Sequence, residues 1–174
     1  MSALRARRVS LSSLVAVLFL YAGPASAEPV TLNCPGTMAV NDSPGMTNAP
    51  RFMTITGTGT FGPCVGLPLS ILSADYSGVA HGTTSCLTSS TMANLTLTWN
   101  DGTVSTLSLT QTINTRPTGQ VVSVYAGTVS AGRFQGATAT ATLVLTQTDI
   151  LGCFTEEGVT ATTGPAVFTI VGLL

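Results

Sequence analysis

Residues 95–109 read Leu95-Thr96-Leu97-Thr98-Trp99-Asn100-Asp101-Gly102-Thr103-Val104-Ser105-Thr106-Leu107-Ser108-Leu109, and the alternation on either side of Asn100-Asp101-Gly102 decides the fold. Leu95, Leu97 and Trp99 share one parity with threonines between them, and Leu107 and Leu109 resume the pattern after the turn residues. A period of two belongs to a strand with one face buried, so the stretch predicts a β-hairpin. A three-residue connection ending in glycine suits a type I turn followed by a left-handed residue, because Gly102 has no Cβ to clash at positive φ. The register then sets Trp99 against Thr103, Leu97 against Ser105 and Leu95 against Leu107. One face of the hairpin is therefore mostly apolar and needs a core.

The same grammar extends in both directions. Downstream, Val121 to Val129 reads as a strand, and Ala137, Ala139, Ala141, Leu143 and Leu145 alternate with polar and β-branched residues in the next. Small alanines giving way to leucines imply a core that widens toward one end. Ala166 to Leu174 is a final apolar strand, preceded by a long irregular segment from Asp149 to Gly164. Upstream, Pro29 to Val40 is strand-like until Pro35-Gly36, and Asn41 to Pro50 reads as a loop through its Asn-Asp-Ser-Pro-Gly cluster. Phe52 to Phe61 extends through Gly57 and Gly59, where a kink or bulge is expected. Leu67 to Ala80 reads as one strand with a change of parity, and residues 81–90 as a short strand or a cystine-pinned loop. About eight short strands with turn signals between them predict an antiparallel β-sandwich or β-barrel. Periodicity does not separate the two, since both bury one parity of each strand.

The chain opens with Arg5, Arg7 and Arg8, an apolar run from Leu11 to Tyr21, and Ala25-Ser26-Ala27. This is the pattern of a secretory signal peptide, residues 1–27, and the run is far shorter than the roughly 20 residues a membrane helix needs. Cleavage after Ala27 of the 174-residue chain leaves a single all-β domain, residues 28–174, and no membrane span. That piece keeps three arginines and all seven acids, with no lysine, for a net charge near −4. Without a basic cluster, nucleic acid is a poor partner. Polarity comes instead from serine and threonine, which suit a solvated sheet surface.

Cys34, Cys64, Cys86 and Cys153 all follow the expected cleavage point, and export makes two disulfides the natural inference. Three pairings exist. Cys34 with Cys64 and Cys86 with Cys153 is favoured, because the first closes the N-terminal third on itself and the second ties mid-chain to a late loop. Chain entropy alone would give such closures about 3.7 and about 4.4 kcal/mol. Zinc is disfavoured, since no two cysteines are close and His81 is the sole histidine.

Candidate chemistry is thin. His81 could join Ser85 and Asp75 in a hydrolytic triad, but no Gly-x-Ser-x-Gly elbow occurs. Asp149, Glu156 and Glu157 share one loop, where carboxylates could hydrolyse a glycoside or hold calcium. Trp99, Tyr76 and Tyr125 are the aromatic candidates for a ligand platform, with Trp99 placed by its parity in the core.

Trp99-Asn100-Asp101-Gly102-Thr103 and Ser105, with Gly127-Thr128-Val129, Gly132, Phe134, Gly136 and the four cysteines, resembles small exported Thr/Gly-rich β-proteins of actinobacteria. The resemblance implies a secreted bacterial β-domain without an assigned activity, and it carries no site residues. The expectation is a secreted, non-enzymatic binding domain with no cofactor or metal, its ligand a glycan, wall component or protein. The alternatives are a hydrolase using His81 or the loop carboxylates, and a small-ligand carrier. The carrier needs an interior void of roughly 300 Å³, supported by the alanine-rich start of the strand at Ala137.

Overall fold

The computed structural model describes residues 27–116, 120–147 and 151–173. The expected signal peptide lies outside them apart from Ala27. Nine strands run in chain order among the described residues: β1 (Pro29–Met46), β2 (Arg51–Phe61), β3 (Val65–Leu67), β4 (Ala74–Thr84), β5 (Ser89–Trp99), β6 (Val104–Thr115), β7 (Gln120–Gly132), β8 (Thr138–Gln147) and β9 (Val159–Leu173). A single 3₁₀ turn, Leu151–Phe154, precedes β9.

The strands pair antiparallel in the order β2-β4-β5-β6-β7-β8-β9-β1, and β1 closes the circle by pairing with β2. The fold is thus an eight-stranded meander barrel, which leaves no open edge along the wall. The short β3 sits outside the count, continuing β1 at Thr31–Asn33 where β2 has ended. Both disulfides form in the favoured pairing, Cys34–Cys64 and Cys86–Cys153.

The hairpin of residues 95–109 has the expected register, with Leu95 opposite Leu107 and Leu97 opposite Ser105, and Gly102 at φ 80°. The odd positions of β8 face inward as read. Four readings are corrected. Residues 41–46 are not loop but the end of β1, where Ser43 still pairs with Thr54 and Asn41 with Ala161. Turn-forming residues are overruled there because strands flank β1 on both sides. For the same reason β9 begins at Val159, well before Ala166. Residues 67–80 are not one strand, since residues 68–73 leave the sheet to cross the barrel end before β4. No bulge occurs at Gly57, whose partners on β4 run in unbroken register. The glycine instead allows close approach, because a Cβ there would lie 2.8 Å from the Tyr76 hydroxyl.

One end of the barrel is filled. Trp99, 2% exposed, packs edge-on to Phe134 at 5.5 Å and donates from Nε1 to Ser105 Oγ at 2.8 Å. Residues 68–73 cap this end with Ile71, 1% exposed. Asn100 pins the cap from the hairpin turn: its Oδ1 accepts from the Leu72 amide at 2.8 Å and its Nδ2 donates to the Ser70 carbonyl at 3.1 Å. The alanines of β8 lie beside bulky neighbours here, Ala139 against Ile170 and Ala141 against Phe168. Ala139 marks tight packing, whereas Ala141 and Phe168 reach the lining of the cavity at the other end.

A half-polar cavity beneath the disulfide-tied mouth

The opposite end carries the loops that follow β1, β4, β6 and β8. Cys86–Cys153 spans it, with Cα atoms 6.1 Å apart. The Cys86 amide donates to the Thr47 carbonyl at 2.8 Å, and the Asn48 amide to the Cys153 carbonyl at 3.1 Å. Three loops are thereby joined around the rim. Below them lies a cavity of about 80 Å³, floored by Tyr76 and Phe168, whose rings stand 5.7 Å apart. The void falls short of the roughly 300 Å³ that the carrier expectation requires, and leaves room only for a much smaller molecule. It sits toward the leucine end of β8, against Ala141, Leu143 and Leu145, and away from Ala137 and Ala139.

Two irregularities aim polar groups into it. On β6 the register against β7 slips between Gln111 and Ile113. The extra residue reverses parity, so that inward positions pass from Leu107, Leu109 and Gln111 to Asn114 and Arg116. A bulge re-aiming a side chain is a recurrent device beside functional sites. On β1 the inward series Val30, Leu32, Cys34, Met38, Val40 ends in Asp42, just before the register against β9 shifts.

Asp42 is 6% exposed and lines the cavity, and its Oδ2 has no hydrogen-bond partner. Burial pushes its carboxyl from 3.8 up to about 6, against the opposing pull of Arg116. A buried carboxylate with an unsatisfied oxygen is costly. Gln111 Oε1, also on the lining, is the second buried acceptor without a partner.

Arg116 places three of its five N–H donors on the wall, Nη2 to Thr84 Oγ1 at 3.1 Å, Nη1 to Met46 Sδ at 3.3 Å and Nε to Asn114 Oδ1 at 3.3 Å. Burial holds its guanidinium below the usual arginine value. Ser123 Oγ accepts from Gln111 Nε2 at 3.0 Å and from Asn114 Nδ2 at 2.9 Å. Tyr125 and Thr91 share a hydroxyl hydrogen bond of 2.7 Å. Burial pushes the Tyr76 phenol up to about 12, and it raises Tyr125 as well.

Of the aromatics singled out from the sequence, Tyr76 and Tyr125 meet on the cavity, while Trp99 lies in the filled end. The hydrolytic candidates do not converge. Asp75 and His81 are both on the outer face of β4, six residues and so roughly 20 Å apart. His81 faces Thr54, its Nδ1 3.2 Å from Thr54 Oγ1, and Ser85 is occupied by the turn to Thr88. Glu156 and Glu157 are exposed on the β8–β9 loop, and Asp149 lies outside the described residues. Among the described residues no group of three or more His, Cys, Asp or Glu side chains could hold a metal, and no helix is long and apolar enough to cross a membrane.

Asp42 and Arg116 are not singled out by the sequence, Asp42 because it falls within residues 41–50, which read as a loop. The signal for Asp42 is the even-numbered alternation of β1, which resumes after Gly36 at Met38 and Val40 and leads into an acid. Compared with protein-family models, curated proteins and solved structures, the chain shows no match to any of the three.

Proposed function

We propose that the protein is exported and that outside the cytoplasm it binds a small organic molecule inside the barrel, without transforming it. A closed eight-stranded barrel leaves an interior just wide enough to be filled by side chains or to hold one small ligand. Here one half is filled and the other is hollow. The observation that carries the reading is the Asp42 carboxylate, buried with an unsatisfied oxygen on the cavity wall. Such an arrangement weakens an empty barrel and is relieved when something occupies the void. The four cysteines, all in cystines, are compatible with an oxidising compartment.

The broader expectation of a secreted domain for glycan, wall or protein shares the export and the cystines. The interior site is what favours a small molecule. A fragment screen on the disulfide-bonded protein, read by methyl NMR, tests this. Ligands should shift the methyls of Leu95, Leu143 and Leu145 on the cavity and leave those of exposed Leu69 and Leu72 unmoved. Hits confined to the outer residues would oppose the reading.

A further inference from the structure

We infer that the ligand class is a compact organic ammonium, its N–H donors directed at Asp42 and Gln111 and its hydrocarbon part held against Leu95, Leu143 and Leu145. This rests on the small-ligand reading above and narrows it. Of the buried side-chain atoms without a partner among the described residues, the two on the cavity are acceptors, Asp42 Oδ2 and Gln111 Oε1, and the Tyr76 hydroxyl also lines it. Its cation is already committed, since Arg116 is bonded to Thr84, Met46 and Asn114. An anion would meet an unpaired carboxylate and find the guanidinium turned to the wall. A neutral hydroxyl would offer a single donor and no charge. An ammonium supplies up to three donors together with the charge that a buried carboxylate lacks.

Most of the remaining surface is apolar, with Val40, Leu95, Leu143, Leu145 and Phe168 beside the hydroxyls of Thr84, Ser89, Ser123 and Thr162, so a hydrocarbon group on the cation fits it. Size bounds that group. A cavity of ~150 Å³ takes benzene, so the 80 Å³ here fits on the order of three to five non-hydrogen atoms. The charged and titratable groups around Asp42 are Arg116 at the end of β6, Tyr76 on β4, Tyr125 on β7 and, at the rim, Arg51 on β2, whose Nη2 donates to the Gly45 carbonyl. Burial keeps both phenols protonated at neutral pH. Asp42 is thus the group that changes charge in mildly acidic solution.

The test compares three probes of one shape, n-propylammonium, 1-propanol and propionate, titrated into the disulfide-bonded protein at about pH 8, with Leu95 and Leu143 methyl shifts as readout. The ammonium should bind about tenfold tighter than the alcohol, with propionate weakest. In Asp42→Asn, an isosteric change that removes the carboxylate charge and leaves Arg116 in place, the preference should fall to within about twofold. At about pH 5 the wild-type preference should shrink in the same way as the carboxyl protonates. If the alcohol or propionate binds as tightly as the ammonium, or the preference survives in Asp42→Asn, the ligand class is wrong and the cavity reading stands. If none of the three moves the cavity methyls, both fall.

Discussion

At Asp42 the physical balance is unfavourable in the empty barrel, and its sign is definite. The carboxyl titrates near 3.8 when exposed and at about 6 in the fold, so between those values the folded state holds more protons than the unfolded one. Stability from this group therefore falls as pH rises from about 4 to about 6 and stays low above. The shift corresponds to about 3 kcal/mol. Asp42→Asn should be the more stable protein above about pH 6.5, by up to ~3 kcal/mol in urea unfolding, with the advantage gone by about pH 3.5. An equal difference at both pH values would show that the charge is not the cause. Asp101 has the opposite sign, since hydrogen bonds from Thr103 hold its carboxyl low, helped by its ion pair with Arg133. At the filled end, Ser105→Ala leaves the Trp99 Nε1–H buried without its acceptor. It should cost about 1–3 kcal/mol and change the emission of the single tryptophan. Unaltered stability would mean that another acceptor replaces Ser105.

The elements show where local sequence speaks and where neighbours do. The hairpin of residues 95–109 and the odd-numbered face of β8 were legible because alternation, turn chemistry and burial agree there. The second half of β1 was not, because Asn41, Ser43, Pro44 and Gly45 are locally turn-formers. Strand pairing with β2 and β9 on either side overrides that preference. The same holds for residues 159–165 of β9, flanked by β1 and β8. Hence the candidate site was almost illegible. Its acid lies where β1 continues past apparent turn signals, and Arg116, just beyond the end of β6 at Thr115, faces inward after a bulge that no alternation announces. The cystine pairing that the sequence favours among three is the one formed, Cys34–Cys64 and Cys86–Cys153. Reopening Cys86–Cys153 by Cys86→Ser with Cys153→Ser frees the rim loops from each other. It should lower stability by up to ~4 kcal/mol and speed amide exchange first at Thr47, Asn48 and Cys86, with Trp99 and Leu107 last. Uniform loss of protection would argue that the rim is not a separable unit.

On the scale of the whole molecule, the barrel closes by joining chain ends, with Pro29 opposite Leu173. Every other wall pairing is between strands adjacent in the meander. The last strand therefore completes the cavity wall as well as the circle, and truncation before Val159 would expose two unpaired edges. One end is sealed by Trp99, Phe134 and the cap at Ile71, so the hollow can open only at the mouth tied by Cys86–Cys153. A carboxylate held in that half without a partner is the feature on which the functional account depends. Its titration is followed directly by ¹³C NMR of the Asp42 side-chain carboxyl. The account predicts a midpoint near 6 in the empty barrel, moving down when n-propylammonium is added. A midpoint near 3.8 that the ammonium does not move would contradict it.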